Sequence, residues 1–155
     1  SAWIRLPAIA SSGFLRPSNA GAPSERPLLW FSGNQHWEPT ATKMLRTPSG
    51  MCEMTFEQQA LQIGCIRFGI GRADKRLMPW KAACKAAGIG IETRAALERA
   101  GVMRGAHRND WFGVAVSMPL SEIELDVWVD AKWHRANVDE MARVWSETEA
   151  RNYSA

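Results

Sequence analysis

Three groups of residues have the types and spacing to do chemistry. Glu122, Glu124 and Asp126 occupy every second position of a segment in which Ile123, Leu125, Val127 and Val129 fill the places between. In an extended chain alternate side chains project to opposite faces, so the acids share one face and the aliphatic residues the other. Carboxylates this close raise one another's pKa unless paired or solvated, and holding a cation or a developing positive charge is one use for them. The other use is plain, the solvated outer face of an antiparallel strand. The second group is Trp30-Phe31-Ser32-Gly33-Asn34-Gln35-His36-Trp37-Glu38. Aromatic faces stack on flat rings, and Ser32 and Asn34 beside them can fix a ring's orientation. Trp30 and Phe31 also suit a core, and His36 an open surface. In the third group Arg67, Arg72, Lys75 and Arg76 surround Gly69-Ile70-Gly71, while Arg104, His107 and Arg108 share a second polar stretch. Such patches can hold phosphates or stand as solvated loops.

Several chemistries lack their motifs. Gly69-Ile70-Gly71 has neither the third glycine nor the following helix of a dinucleotide fingerprint. Gly88-Ile89-Gly90 follows a helical pattern, the wrong context for one. No P-loop and no G-x-S-x-G elbow is present. Cys52, Cys65 and Cys84 are far apart, with no CxxC or HxxxH pair, so no metal centre is expected and the thiols read as small core residues. Of the eight tryptophans, Trp30, Trp111 and Trp145 read as core from their neighbours. Trp37, Trp128 and Trp133, flanked by polar groups, read as pocket or interface residues.

The elements that must position these groups follow from turn signals and periodicity. Pro7 at a first turn and Gly13 past a last one bracket a helix at about Leu6–Ser12, with Ile4, Leu6 and Ile9 available to the core. Arg16–Pro27, rich in proline and serine, is a loop. Leu28–Ser32 is a short apolar strand. Pro39 opens a helix to about Arg46, and Thr47–Gly50 is a turn. Thr55 and Gln58 have capping-box spacing before a helix over Phe56–Gln62 that stops at Gly64. Cys65–Ile70 is a strand, Trp80–Ala87 a helix ended by Gly88, and Glu92–Ala100 a helix ended by Gly101. Trp111–Ser117 and Glu122–Asp130 are strands. Asn137 with Glu140 caps a last helix over Val138–Ala150, whose Met141, Val144, Trp145 and Thr148 share one side. Short strands and helices without strict alternation give the α+β class, with a small, mostly antiparallel mixed sheet and several short helices.

The chain of 155 residues is the size of a single domain, and 46% apolar with 23% charged residues is a globular balance. No apolar run approaches the roughly 18 residues of a membrane span, and no signal-peptide pattern is present. Three cysteines make no disulfide framework, and a cytoplasmic protein is expected. A net charge of +3 is too small for a nucleic-acid-binding arm.

The order of these features resembles the ADP-ribosyltransferase-like fold, in particular its nucleic-acid-modifying branches, the RNA 2′-phosphotransferases and the DNA-targeting ADP-ribosyltransferase toxins. Leu6–Gly13 looks like the helix after that family's first motif. Leu29-Trp30-Phe31-Ser32 looks like its second strand, and Ser121-Glu122-Ile123-Glu124 like its late acidic strand. The first motif itself has no counterpart in the chain. The resemblance implies ADP-ribosyl transfer from NAD to a protein or nucleic-acid acceptor. It implies Glu124 as the catalytic carboxylate assisted by Glu122, Trp30 or Trp37 stacked on nicotinamide, and Ser32 bonded to its amide or the ribose. Arg67 or Arg72 would neutralise pyrophosphate, and Asn34 would join the cofactor-binding set. Two other readings stand beside it: a Trp-rich binding module without catalysis, anchored by Trp37, Trp128 and Trp133, and an inactive relative that keeps the pocket.

Overall fold

The computed structural model describes residues 2–48 and 50–152, and the side chains of residues 5–48 and 50–146. In chain order the elements are α1 (Ala2–Ser12), β1 (Phe14–Leu15), β2 (Leu29–Ser32), β3 (Met44–Thr47), β4 (Gly50–Glu53), α2 (Phe56–Gln62), β5 (Ile66–Gly69) and β6 (Met78–Pro79). There follow α3 (Trp80–Ala87), α4 (Ile91–Met103), β7 (Trp111–Val114), β8 (Met118–Pro119), β9 (Glu124–Val129), β10 (Lys132–Ala136) and α5 (Val138–Asn152). The class is α+β. Every pairing between these strands is antiparallel, and the strands are shared among small sheets instead of one.

The chain forms two compact units. The first comprises Ser1–Leu15, Glu57–Ile70 and Met118–Ala155. Its sheet has the order β10-β9-β5. Leu125 and Val127 of β9 join Ile66 of β5, Leu6 of α1 and Ala142 of α5 in one buried cluster. The expected alternation therefore holds where it matters for burial. Val129 is exposed, because β9 ends there in a two-residue turn. Asp130 and Ala131 both take positive φ, 49° and 58°, the geometry that lets a tight turn match the twist of its strands. β10 was absent from the sequence reading because Asp-Ala carries no glycine to announce such a turn.

α1 begins at Ala2, so Pro7 lies inside the helix and not at its first turn; Gly13, at φ 70°, ends it as expected. Leu6 is fully buried and Ile9 half-buried, while the side chain of Ile4 lies outside the described residues. Asn137 caps α5, its Oδ1 accepting from the N–H groups of Asp139 at 2.9 Å and Glu140 at 3.1 Å. The inward side of α5 runs through Val138, Met141 and Ala142. Val144 is exposed and Trp145 half-buried, a shift from the side expected, and the side chain of Thr148 lies outside the described residues.

The second unit comprises Arg16–Phe56 and Gly71–Ser117. Its sheet has the order β2-β7-β6, with Ser32 opposite Trp111 and Trp30 opposite Gly113. Leu28 packs with Ala83 and Ala87 of α3, and Trp80 and Cys84 of α3 pack with Ala106 and Trp111. The close approach of α3 to β7 requires Gly113, where a Cβ would stand 2.8 Å from the Cβ of Ala83.

Two expectations are overturned in this unit. The helix over 39–46 is a single 3-10 turn, Pro39–Ala41, followed by a β3–β4 hairpin pairing Met44 with Glu53 and Thr47 with Gly50. Glu38 caps the start of that turn by accepting from the Thr40 N–H, and at its end the Thr42 hydroxyl donates to the Pro39 carbonyl, the kind of local bond that competes with helical ones. At the expected Thr47–Gly50 turn, Thr47 pairs with Gly50 at the hairpin's end, and Ser49 lies outside the described residues. Gly101 does not end α4, which runs on to Met103. A Cβ at Gly101 would lie 2.3 Å from Cη2 of Trp111, so this glycine serves close packing, and Gly105, at φ 80°, follows the helix end.

Candidate functional site

A cleft of about 610 Å³ opens in the second unit, within the size range of small-molecule sites. Its wall is aromatic. Trp30 comes from β2, Trp80 from the first residue of α3 and Trp111 from the first residue of β7. The Trp30 and Trp80 rings are 5.6 Å apart at 54°, and those of Trp80 and Trp111 are 4.9 Å apart at 74°. Both are favoured tilted or edge-to-face geometries. Trp80 and Trp111 are buried, whereas Trp30 is 44% exposed. Trp30 is therefore not the core residue its neighbours implied, and part of it remains open to the cleft. Phe31, Ile89, Leu97 and Gly101 add to the apolar lining.

Trp80 is held from behind. Its indole N–H donates to Oε1 of Glu98 at 2.8 Å, and Arg108 donates to Oε2 at 2.7 Å. These bonds, the Trp80 bond first, hold the Glu98 carboxyl below its ordinary range. The Trp111 indole N–H is buried with no acceptor among the described residues, a condition that costs about 1–3 kcal/mol.

One edge of the cleft is polar. The Ser32 hydroxyl donates to Oε2 of Glu38 at 2.7 Å, and the Thr40 hydroxyl donates to Oε1 at 2.7 Å. The Thr40 backbone N–H adds a third bond to Oε1 at 3.3 Å. Ser32 also accepts from the Asn34 N–H at 3.1 Å, so its hydroxyl is already engaged and the outward polar function is the Glu38 carboxylate. Glu25 and Arg104 line the cleft as well, and Arg104 reaches Glu53 of β4 at 3.3 Å.

Of the residues singled out from sequence, Trp30 and Ser32 are brought together here. Asn34, Trp37 and Arg72 lie outside the lining. Asn34 builds the turn after β2, its Oδ1 accepting from the N–H groups of His36 and Trp37. Trp37 packs on Phe56 with ring centres 4.9 Å apart. Arg72 is exposed beyond β5.

Glu122, Glu124 and Arg67 belong to the first unit. Glu122 is not on the acidic strand face. It ends a 3-10 turn, Leu120–Glu122, and the strand starts two residues later. Glu124 is exposed and bonded by Arg135 at 2.8 Å. Asp126 accepts from Arg67 and Arg135, each at 2.9 Å. Burial pushes the Asp126 carboxyl up, but the bonds from Arg135 and Arg67 outweigh it and the net shift is downward. Arg67 also stacks over Trp133 at 4.3 Å, and Trp133 meets Trp128 edge-on at 5.2 Å. The acidic face is thus an ion-pair lattice. Its organising residue, Arg135, sits on the strand that sequence reasoning missed.

The cleft residues missed from sequence are Trp80, Trp111, Glu25 and Thr40. Glu38, five residues past Gly33, and Arg104 stood inside segments already singled out. Cys65 and Cys84 are buried, and burial pushes the Cys84 thiol up to about 11. Burial also raises Cys65, against a bond from Gln59, so neither is a ready nucleophile. Among the described residues no three His, Cys, Asp or Glu side chains group as a metal site, and no helix is long and apolar enough to cross a membrane. Compared with known proteins, the chain matches no family model, no curated protein and no solved structure.

Proposed function

We propose that the second unit is a binding module for a small molecule carrying a planar ring, seated in the cleft between Trp30 and the polar edge at Glu38. The observation that carries this reading is the juxtaposition of a partly exposed indole, packed against a chain of two buried indoles, with a carboxylate fixed by two hydroxyls. A flat apolar body gains from stacking, and one or two placed polar groups orient it. The ring that the family resemblance implies is nicotinamide, so NAD and free nicotinamide are the first ligands to titrate. Saturable quenching of tryptophan fluorescence by NAD or nicotinamide, lost in Trp30→Ala and unchanged in Arg72→Ala, supports the reading. Binding that is indifferent to Trp30→Ala removes it.

A second reading, ADP-ribosyl transfer from NAD, is favoured by one observation. Trp30 and Ser32, the two residues it assigns to nicotinamide, both line the cleft. Only the family resemblance, and not the cleft, names Glu124 of the first unit as the carboxylate that would stabilise positive charge on the ribosyl carbon. NAD turnover that falls by orders of magnitude in Glu124→Gln, with NAD binding kept within a few-fold, supports it. Undiminished turnover in that variant rejects it. The acceptor, a protein or a nucleic acid, is identified by transfer of labelled ADP-ribose to each class.

A further inference from the structure

We infer that the cleft selects a planar cation, an amidinium-type group conjugated to a flat ring, over the neutral ring of the same shape. The inference rests on the planar-ring reading and adds a charge to it. Glu25 and Glu38, the two acids in the lining, are both half-buried, and neither has an ion-pair partner among the described residues. By contrast Asp74 is paired with Arg76, Glu98 with Arg94 and Arg108, and Asp126 with Arg67 and Arg135. The lining's cation, Arg104, is committed to Glu53 at 3.3 Å.

The cleft therefore presents uncompensated negative charge beside indole faces. Both features attract the same kind of group. The face of an indole is the negative end of its quadrupole and draws cations, most strongly when they are desolvated. Oε1 of Glu38 already accepts from the Thr40 hydroxyl and N–H, so Oε2, held by Ser32, is the oxygen left to accept one N–H from a planar cation, with little loss of side-chain freedom. A neutral ring would stack equally well but would leave two half-buried carboxylates unmatched.

The test compares benzamidinium with benzamide, which differ in charge and hardly in shape, by calorimetric titration of the full chain. The expected result is a preference for benzamidinium of roughly ten-fold or more, the scale of one charge-assisted hydrogen bond. Glu38→Gln should collapse that preference, with the larger loss falling on benzamidinium, and Glu25→Gln should reduce it. Thermal melting of each variant checks that the unit is still folded, and Glu25→Gln keeps the test alive should Glu38→Gln not fold. Equal affinity for the two probes overturns the inference and leaves the planar-ring reading standing. Binding of neither probe overturns both.

Discussion

Gly101 and Glu38 show how much single side chains decide in this molecule. Gly101 lies within α4 with the Trp111 ring pressed on its Cα. A methyl group there must displace an indole that is itself clamped by Trp80. Gly101→Ala should therefore destabilise the protein by about 2–3 kcal/mol, in the range of overpacked cores, although alanine is the better helix former. Urea unfolding measures it, and an unchanged midpoint would mean that Trp111 repacks freely. From the sequence Gly101 reads as a helix terminator, because glycine's two uses, freedom of φ and absence of a side chain, are indistinguishable until a neighbour is known. Trp30 is a similar case. Its flanking residues are those of a buried strand, but only the β2–β7 register fixes which face of the sheet it takes.

At the scale of elements, the β9–β10 hairpin and the cap of α5 are the most directly testable. Ala131 occupies φ 58° without being glycine, a conformation that costs an L side chain roughly 1 kcal/mol. Ala131→Gly should raise stability by up to about 0.5 kcal/mol, since relief of that strain slightly exceeds the added freedom of the unfolded chain. A lower melting temperature in that variant would contradict the turn geometry. Asn137→Ala removes the side-chain acceptor for two helix-end N–H groups and should cost about 1 kcal/mol, read by the same denaturation experiment. Helices such as α2 and α3 were legible because their ends are written locally. Gly88 at φ 81° closes α3 and donates to the carbonyls of Cys84 and Lys85. The β3–β4 hairpin was not legible, because Pro39 signals the start of a turn and not its length.

For the whole molecule, the acid limb of stability follows from its carboxylates. Asp74 is lowered to about 2 by bonds from Arg76, and Glu98 and Asp126 are also held below their ordinary values. A group whose pKa is lower in the folded state stabilises the protein above its unfolded pKa. That contribution is lost as pH falls through the folded value. Stability should therefore be level through neutrality as far as these three groups are concerned, and fall progressively once pH drops below the ordinary carboxylate range. Arg108→Ala should lower stability at neutral pH and shrink Glu98's share of that fall, because the carboxyl loses a bonded cation and its folded pKa moves back toward the ordinary value. Urea midpoints taken across the acid range check both statements, and an acid limb unaltered by Arg108→Ala would remove Glu98 from the account.

The sequence by itself determined the α+β class, the positions of β2, β5, α2 and α3, the inward set Leu125 and Val127, and the aromatic-hydroxyl run at Trp30–Ser32. Each of these is written in spacing along the chain, in period-two alternation, capping residues and glycine stops, which are local properties. The tertiary structure alone decided that Trp30, Trp80 and Trp111, drawn from three elements, share one cleft. It also decided that Glu38 is the carboxylate Ser32 holds, and that Glu124 and Asp126 are bound by Arg135 instead of facing a cation site. These facts depend on which strands pair and in what register. Pairing is set by burial summed over residues distant in sequence, and no local pattern encodes it.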